Sequence, residues 1–173
     1  MRVILDMDGV LVDLYAGLAS SFGTDILQHV DNFNSPRIEA LWKTVDSSWW
    51  EHLPWTEDGV AILRLLELEF GQENISLCTK PTVRGSSHAG KFAWIEWHLP
   101  EYLDQYIFTR NKALIASPEY LLVDDSHDNI DAFIKAGGKG LLVPRAWNRG
   151  GHCLNVPAHI KNNLGCFLPA KAD

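Results

Sequence analysis

Cysteine is scarce in this chain: Cys78, Cys153 and Cys166 are the only three among 173 residues, and no two form a C-x-x-C pair. An odd number of widely spaced thiols argues against a disulfide framework and predicts reduced cysteines. The seven histidines form no H-E-x-x-H or comparable pair. A zinc site is therefore not expected.

Long hydrophobic runs are also missing. No apolar stretch approaches the length that spans a bilayer, and the N-terminus enters an apolar strand without the charged, apolar and small-residue succession of a secretory signal. We therefore expect a cytoplasmic protein with no membrane partner. The composition, 46% hydrophobic and 21% charged, is that of an ordinary globular protein. A length of 173 residues predicts a single well-buried core, in one domain that carries an insertion.

Positive charge is the third shortage. The formal net charge is -7, and neither Lys nor Arg forms a run. This argues against the basic surface that a nucleic-acid polymer or an anionic membrane requires. A small anionic substrate stays compatible with the sequence if a metal ion and a few lysines set the local field.

Short apolar runs alternate with helical patterns along most of the chain. The runs rich in Val, Ile and Leu that predict strands cover residues 2–6, 74–78, 106–108, 120–123 and 140–143. Helices are predicted between most of them: one capped by Thr56 and ended by Gly71, one over 88–98, and one after Ser126 that stops at Gly137. Such alternation predicts an α/β fold with a mainly parallel sheet covered on both faces.

Residues 14–54 break this rhythm and predict a small helical cap, which leaves 1–13 and 55–173 as the core domain. Within the cap, Ser35 and Pro36 open a helical pattern that runs to Val45. Four of the seven Trp residues fall between positions 42 and 55. Trp42 fits core packing and a binding role about equally, and adjacent Trp49 and Trp50 cannot both point inward, so an aromatic pocket wall is expected.

The first strand delivers two carboxylates, Asp6 and Asp8, into a turn at Gly9. A structural interpretation makes them turn residues, with positive φ at Gly9 and a helix start at Asp13. The functional interpretation places a nucleophile and a divalent metal at the carboxyl end of the strand, where open α/β sheets bind ligands. Two neighbouring carboxylates repel each other unless a cation or a shared proton intervenes, which favours the functional interpretation.

Further polar residues end the next predicted strands. Thr79 follows the second, Lys112 comes shortly after the third, and Asp124-Asp125 ends the fourth. Each alone has an ordinary explanation: a structural Thr, a solvated Lys, a helix cap. Their order and placement at one sheet edge together predict metal-assisted phosphoryl transfer to a carboxylate.

The parts of that reaction can be assigned to residues. Asp6 is the predicted nucleophile, and Asp8 the acid that protonates the leaving alcohol and later activates water. Mg²⁺ prefers hard oxygen ligands, so Asp6, the backbone carbonyl of Asp8 and Asp125 are the predicted metal ligands. Thr79 would hold phosphoryl oxygens.

These motifs resemble those of a known superfamily. Four parts of the chain are similar to the four motifs of the haloacid dehalogenase superfamily of phosphohydrolases. They are Leu5-Asp6-Met7-Asp8-Gly9-Val10, Thr79, Lys112 and Leu121-Leu122-Val123-Asp124-Asp125. Three segments further resemble the 5'(3')-deoxyribonucleotidase family: Cys78-Thr79-Lys80-Pro81, residues 90–96 and Thr109-Arg110-Asn111-Lys112.

The resemblance implies a Rossmann-like three-layer α/β/α fold with a cap after the first strand, Mg²⁺, and hydrolysis of deoxyribonucleoside monophosphates. It implies that Lys91 joins Lys112 near the phosphate and that Trp42 stands beside the base, with Phe33 as a second base contact. Lys80, which stands where that family commonly has Ser, is assigned to the substrate.

Other functions fit parts of the pattern. Bacterial receiver domains also place acids, a Thr and a Lys around Mg²⁺, but their paired acids come first in the chain, whereas Asp124-Asp125 comes last. A non-catalytic nucleotide-binding relative has no reason to keep both Asp6 and Asp8. The runner-up is a phosphatase for another small phosphomonoester, such as a ribonucleotide or a sugar phosphate. The sequence leaves a homodimer open.

Overall fold

The computed structural model describes residues 1–32, 36–83 and 85–168. Its strands are β1 (Arg2–Asp6), β2 (Ile75–Thr79), β3 (Tyr106–Phe108), β4 (Tyr120–Asp124) and β5 (Lys139–Leu142). Its α-helices are α1 (Leu14–Phe22), α2 (Pro36–Leu41), α3 (Ser47–Glu51), α4 (Gly59–Phe70), α5 (Gly85–His98), α6 (His127–Lys135) and α7 (Val156–Leu164). Short 3₁₀ turns cover Thr24–Asn32, Gln72–Asn74, Pro100–Tyr102 and Lys112–Ile115.

The strands form one parallel sheet in the order β3-β2-β1-β4-β5. Leu5 of β1 pairs with Leu77 on one side and Val123 on the other, so the carboxyl ends of these three strands lie level. The chain moves outward from β1 to β3 and then crosses to β4. This reversal beside β1 opens a crevice at the carboxyl edge of the sheet.

Alternation along β1 explains the layers on both faces. Val3 and Leu5 pack into the larger hydrophobic cluster, and Ile4 packs into a smaller one on the opposite face with Leu122 and Phe133. All three β1 residues are buried, as expected for a central parallel strand. The predicted three-layer α/β fold with a mainly parallel sheet is confirmed.

The insertion after β1 consists of α1, the 3₁₀ turn Thr24–Asn32, α2 and α3. Backbone hydrogen bonds from Asp13 N to Pro54 O and from Thr56 N to Leu11 O, each 2.8 Å, join the chain before α1 to the chain after α3. Trp42 and Trp50 of the insertion nevertheless share one hydrophobic cluster with the sheet. The division into core and cap therefore stays a prediction.

Several local predictions were wrong. The Thr56 hydroxyl does not cap a helix; it donates to Val10 O at 2.6 Å and ties down the loop after β1, while α4 begins at Gly59. The helix opened by Pro36 ends at Leu41, before Val45, and Ser35 lies outside the described residues.

No helix was predicted after Gly137, but the structure has α7 (Val156–Leu164) there. Its buried residues Val156, Ile160 and Leu164 recur every four positions, and the Asn155 side chain caps it by accepting from Ala158 N at 3.0 Å. Among the described residues, no helix has both the length and the apolar character needed to cross a membrane.

Candidate active site

The turn after β1 positions the aspartate pair. Gly9 has φ +77°, and the amides of Leu11 and Val12 both donate to Met7 O at 2.8 Å. Asp13 caps α1 by accepting from Ala16 N at 2.8 Å. The structural interpretation is thus correct for Gly9 and Asp13. The turn does not use the side chains of Asp6 and Asp8.

Lys112 joins two carboxylates under the pocket. Its Nζ lies 2.6 Å from Asp6 Oδ1 and 2.6 Å from Asp124 Oδ2, and all three side chains are buried. Burial lowers the pKa of the Lys112 ammonium, but Asp124 and Asp6 raise it by more, so the net shift is upward and the lysine stays charged. The interpretation of Lys112 as a solvated surface charge is wrong.

Lys91 makes the matching contact with the second aspartate. Projecting from α5, its Nζ donates to Asp8 Oδ2 and, at 2.8 Å, to Thr79 Oγ1. Lys91 and Thr79 are buried, whereas 22% of the Asp8 side chain is exposed. Among the residues the structure describes, the buried Asp8 Oδ1 has no hydrogen-bond partner. The two aspartates therefore occupy different surroundings, each with its own lysine.

Three carboxylates are close enough to share one cation. Single oxygens of Asp6, Asp124 and Asp125 lie within 4.8 Å of one another. Burial and the neighbouring Asp124 charge raise the pKa of Asp6 well above its usual value, and the same two causes raise that of Asp125 to about 7. A bound cation would stabilise the charged form of both carboxylates, because it would offset their burial and their repulsion by Asp124.

The donor set suits Mg²⁺. All side-chain donors are carboxylate oxygens, and Asp125 forms no ion pair with Lys91 or Lys112, whereas Asp6, Asp8 and Asp124 each do. The unpartnered Asp8 Oδ1 adds a polar atom in need of a ligand. Asp124 already accepts from Ser126 N at 2.7 Å and Asn129 Nδ2 at 3.0 Å as well as from Lys112, so Asp125 is the less occupied member of its pair.

A cavity of about 240 Å³ opens above this edge and reaches the insertion. The aromatic residues that line it are Tyr15, Trp42, Trp50 and Trp147. Trp42 is 8% exposed and packs on Trp50 with ring centroids 5.1 Å apart, so it is both a core residue and a pocket wall. Trp49 does not line the cavity; its Nε1 donates to Ser21 Oγ at 2.8 Å.

Two cations line the cavity in addition to Lys112. Lys80 and Arg110 both line it, and Arg110 Nη1 donates to Pro81 O at 2.8 Å. Desolvation and the charges of Arg110 and Lys112 lower the pKa of Lys80. Lys80 lines the cavity, and its assignment to the substrate stays a prediction. Phe33, the second predicted base contact, lies outside the described residues.

The sequence interpretation missed the segment after β5. Arg145 Nε donates to Gly9 O at 2.7 Å, and its guanidinium forms two 2.7 Å bonds with Asp58. Trp147 Nε1 donates to Asp125 Oδ2 at 2.6 Å. The signal was available, because β5 is parallel to its neighbours and its carboxyl end meets the same sheet edge.

Polar residues thus follow β1, β2, β3 and β4 at one edge of a parallel sheet, which is the class of site that defines the resemblance to haloacid dehalogenase-type phosphohydrolases. Sequence comparison gives the same resemblance. The chain is 26% identical over 151 residues to the mitochondrial 5'(3')-deoxyribonucleotidase of Mus musculus, covering 74% of this chain and 66% of that protein. It is 26% identical over 147 residues to the cytosolic-type 5'(3')-deoxyribonucleotidase of Homo sapiens, covering 72% of this chain and 70% of that protein.

The chain spans about two thirds of the length of these curated relatives. No protein-family model matches it. The predicted resemblance to the 5'(3')-deoxyribonucleotidase family is confirmed.

Solved structures share the shape distantly. A haloacid dehalogenase (HAD) family enzyme from Bacteroides thetaiotaomicron, in complex with magnesium and inorganic phosphate, has a TM-score of 0.47 at 12% identity, over 89% of this chain and 98% of that one. A HAD family hydrolase from Deinococcus radiodurans R1 with bound phosphate and sodium has a TM-score of 0.46 at 18% identity. The match covers 93% of this chain and 86% of that one. The strand order and the layers of this chain define its α/β fold without these two structures.

Proposed function

We propose that this protein is a Mg²⁺-dependent phosphomonoester hydrolase that dephosphorylates deoxyribonucleoside monophosphates through an aspartyl-phosphate on Asp6. The observation that carries the proposal is the separate pairing of two aspartates, Asp6 with Lys112 and Asp8 with Lys91, at the floor of an aromatic cavity. Such pairing gives two chemically similar groups two different roles.

In the first half of the reaction, a carboxylate oxygen of Asp6 attacks phosphorus. The bond between phosphorus and the ester oxygen breaks, and the leaving oxygen takes a proton from Asp8. Asp8 suits this role because its Oδ1 is unpartnered among the described residues and part of its side chain is exposed. Asp6 suits the nucleophile because Lys112 holds the buried carboxylate in place.

In the second half, Asp8 removes a proton from water. The water oxygen forms a bond to phosphorus, the bond between phosphorus and Asp6 breaks, and inorganic phosphate leaves. Thr79 and Lys91 lie beside Asp8, where a hydroxyl and an ammonium would hold phosphoryl oxygens. Asp6, Asp125 and the Asp8 carbonyl would hold Mg²⁺, which neutralises negative charge when bound.

The cavity favours a planar leaving group over a sugar alone. Four aromatic side chains line it, and aromatic side chains commonly stack on nucleobases. Lys80 and Arg110 provide two positive charges toward a phosphate dianion. The similarity to proteins named 5'(3')-deoxyribonucleotidases supports a nucleoside monophosphate over a sugar phosphate. A homodimer and a cytoplasmic location stay predictions.

The test is a panel of deoxyribonucleoside, ribonucleoside and sugar monophosphates, assayed with purified protein with and without Mg²⁺. Deoxyribonucleotides should be the best substrates, and EDTA should abolish turnover. Asp6→Asn and Asp8→Asn should each lower kcat by about 10³-fold or more while circular dichroism stays unchanged.

Asp104→Asn is the matched control, because Asp104 is exposed and does not line the cavity. It should retain full activity. Full activity in Asp6→Asn would overturn the mechanism, and a preference for sugar phosphates would overturn the substrate assignment.

A further inference from the structure

Trp147 contacts a predicted metal ligand directly. Its Nε1 donates to Asp125 Oδ2 at 2.6 Å, and this is the one side-chain hydrogen bond of Asp125 among the described residues. A charge-assisted bond of this length fixes the carboxylate in one orientation. It also occupies one Asp125 oxygen and leaves the other for a cation.

The indole ring is held in turn by the insertion. Tyr15 of α1 stacks on Trp147 with ring centroids 3.7 Å apart and an angle of 19° between the planes. Both residues line the cavity, and both are half-buried. The stack therefore connects the first helix of the predicted cap to the carboxylate edge of the sheet.

The segment around Trp147 is anchored at further points. Asn148 Nδ2 donates to Asp125 O at 2.7 Å and to Val143 O at 2.8 Å. Arg145 bonds to Gly9 O and, through both terminal nitrogens, to Asp58. Trp147 thus projects from a backbone that is fixed on either side, so its ring is placed before any ligand arrives.

A purely structural role does not account for this tryptophan. Trp94, a core residue that is 1% exposed, sends its indole N–H to a backbone carbonyl, Leu53 O, at 2.9 Å. Trp147 belongs to neither hydrophobic cluster of the described residues, and its indole bonds to a carboxylate in a polar cavity. Its surroundings are those of a residue that orients a ligand group.

We infer that Trp147 is a positioning residue that orients the Asp125 carboxylate for a divalent cation, and that Tyr15 holds Trp147 in place. The inference rests on the metal site of the proposed function. Partners that orient metal ligands typically change metal affinity by 10–100-fold when removed.

The test measures metal binding without substrate. Mn²⁺ serves as the probe for the Mg²⁺ site, with its dissociation constant taken from electron paramagnetic resonance titration. Trp147→Phe keeps an aromatic ring for the stack and removes the N–H donor, so it should bind Mn²⁺ about 10-fold more weakly than wild type. Trp97→Phe is the control, because Trp97 is 79% exposed and lies outside the cavity; it should bind as wild type does.

Tyr15→Leu is an independent variant that retains the indole donor and removes the stacked ring. It should weaken Mn²⁺ binding several-fold, and it keeps the test usable if Trp147→Phe does not fold. Folded Trp147→Phe with a dissociation constant within twofold of wild type would overturn the role of Trp147. Unchanged binding in Tyr15→Leu would overturn the role of Tyr15.

The outcomes separate this inference from the proposed function. Wild-type protein that binds Mn²⁺ but hydrolyses no phosphate ester would overturn the function and leave the inference standing if Trp147→Phe binds more weakly. Wild-type protein that binds no Mn²⁺ would overturn the inference whatever its activity.

Discussion

Trp42 shows how one side chain serves both packing and the cavity. The sequence allowed a core residue or a binding residue, and the structure makes it both, buried against Trp50 and facing the space above the carboxylates. Lys112 and Lys91 show the opposite case. The sequence context of Lys112 allowed a solvated charge, but the ammonium groups of both lysines are buried because carboxylates compensate for their desolvation.

Trp42→Leu should separate the two roles of Trp42. If a base stacks on this ring, catalytic efficiency with deoxyribonucleotides should fall about 10- to 100-fold, while that with p-nitrophenyl phosphate should fall less than about threefold. Steady-state kinetics on both substrates is the measurement. Trp49→Leu is the matched control, since Trp49 packs in the same aromatic group without lining the cavity. Equal losses on both substrates in Trp42→Leu would make Trp42 a core residue only.

At the scale of elements, the turn after β1 is the most constrained piece of the site. Gly9 combines φ +77° with close approach to Asp125: a Cβ at this position would overlap Asp125 Oδ2. The strands were predictable to within a residue or two, because buried parallel strands are short apolar runs. Helix starts were less predictable, since the Thr56 hydroxyl bonds across the chain to Val10.

Gly9→Ala should therefore lower the free energy of unfolding by more than the backbone strain alone would. Gly23 is the matched control, because it has φ +82° with open space where a Cβ would lie. Chemical denaturation should show a loss of about 1 kcal/mol for Gly23→Ala and of about 2–3 kcal/mol for Gly9→Ala. Gly9→Ala should also weaken Mn²⁺ binding by displacing Asp125. Equal effects of the two substitutions on stability and metal binding would rule out the close approach.

At the scale of the whole molecule, the insertion and the core meet at Gly90 of α5. A Cβ there would overlap the carbonyl oxygen of Ser47 in α3 and the Cβ of Trp50. This close packing sets Trp50 against Lys91, whose Nζ lies 5.1 Å from the centre of the indole ring. The contact between α3 and α5 thus links the wall of the cavity to the lysine that holds Asp8.

Gly90→Ala should push the insertion away from the core. We expect a loss of about 1–3 kcal/mol in the free energy of unfolding and a raised KM for deoxyribonucleotides, because overpacking shifts α3 and the cavity wall with it. Gly85→Ala on the same helix is the control, since nothing lies within 4 Å of its added Cβ. Denaturation curves and kinetics provide the readouts. A Gly90→Ala protein as stable and active as Gly85→Ala would contradict the tight contact.

The amino-acid sequence alone was enough to predict the parallel α/β sheet, the helical segment inserted after β1, and the positions of Asp6, Asp8, Thr79, Lys112 and Asp125 at the carboxyl edge. It could do so because strand direction and side-chain type are local properties, and parallel strands bring their carboxyl ends to one edge.

The pairing of Lys112 with Asp6 and of Lys91 with Asp8 is visible only in the folded chain. The same is true of the contacts that bring Tyr15, Arg145 and Trp147 to the site. These contacts join residues far apart in the chain, and they depend on how the insertion and the segment after β5 pack over the sheet. The pattern of one segment does not encode such long-range distances.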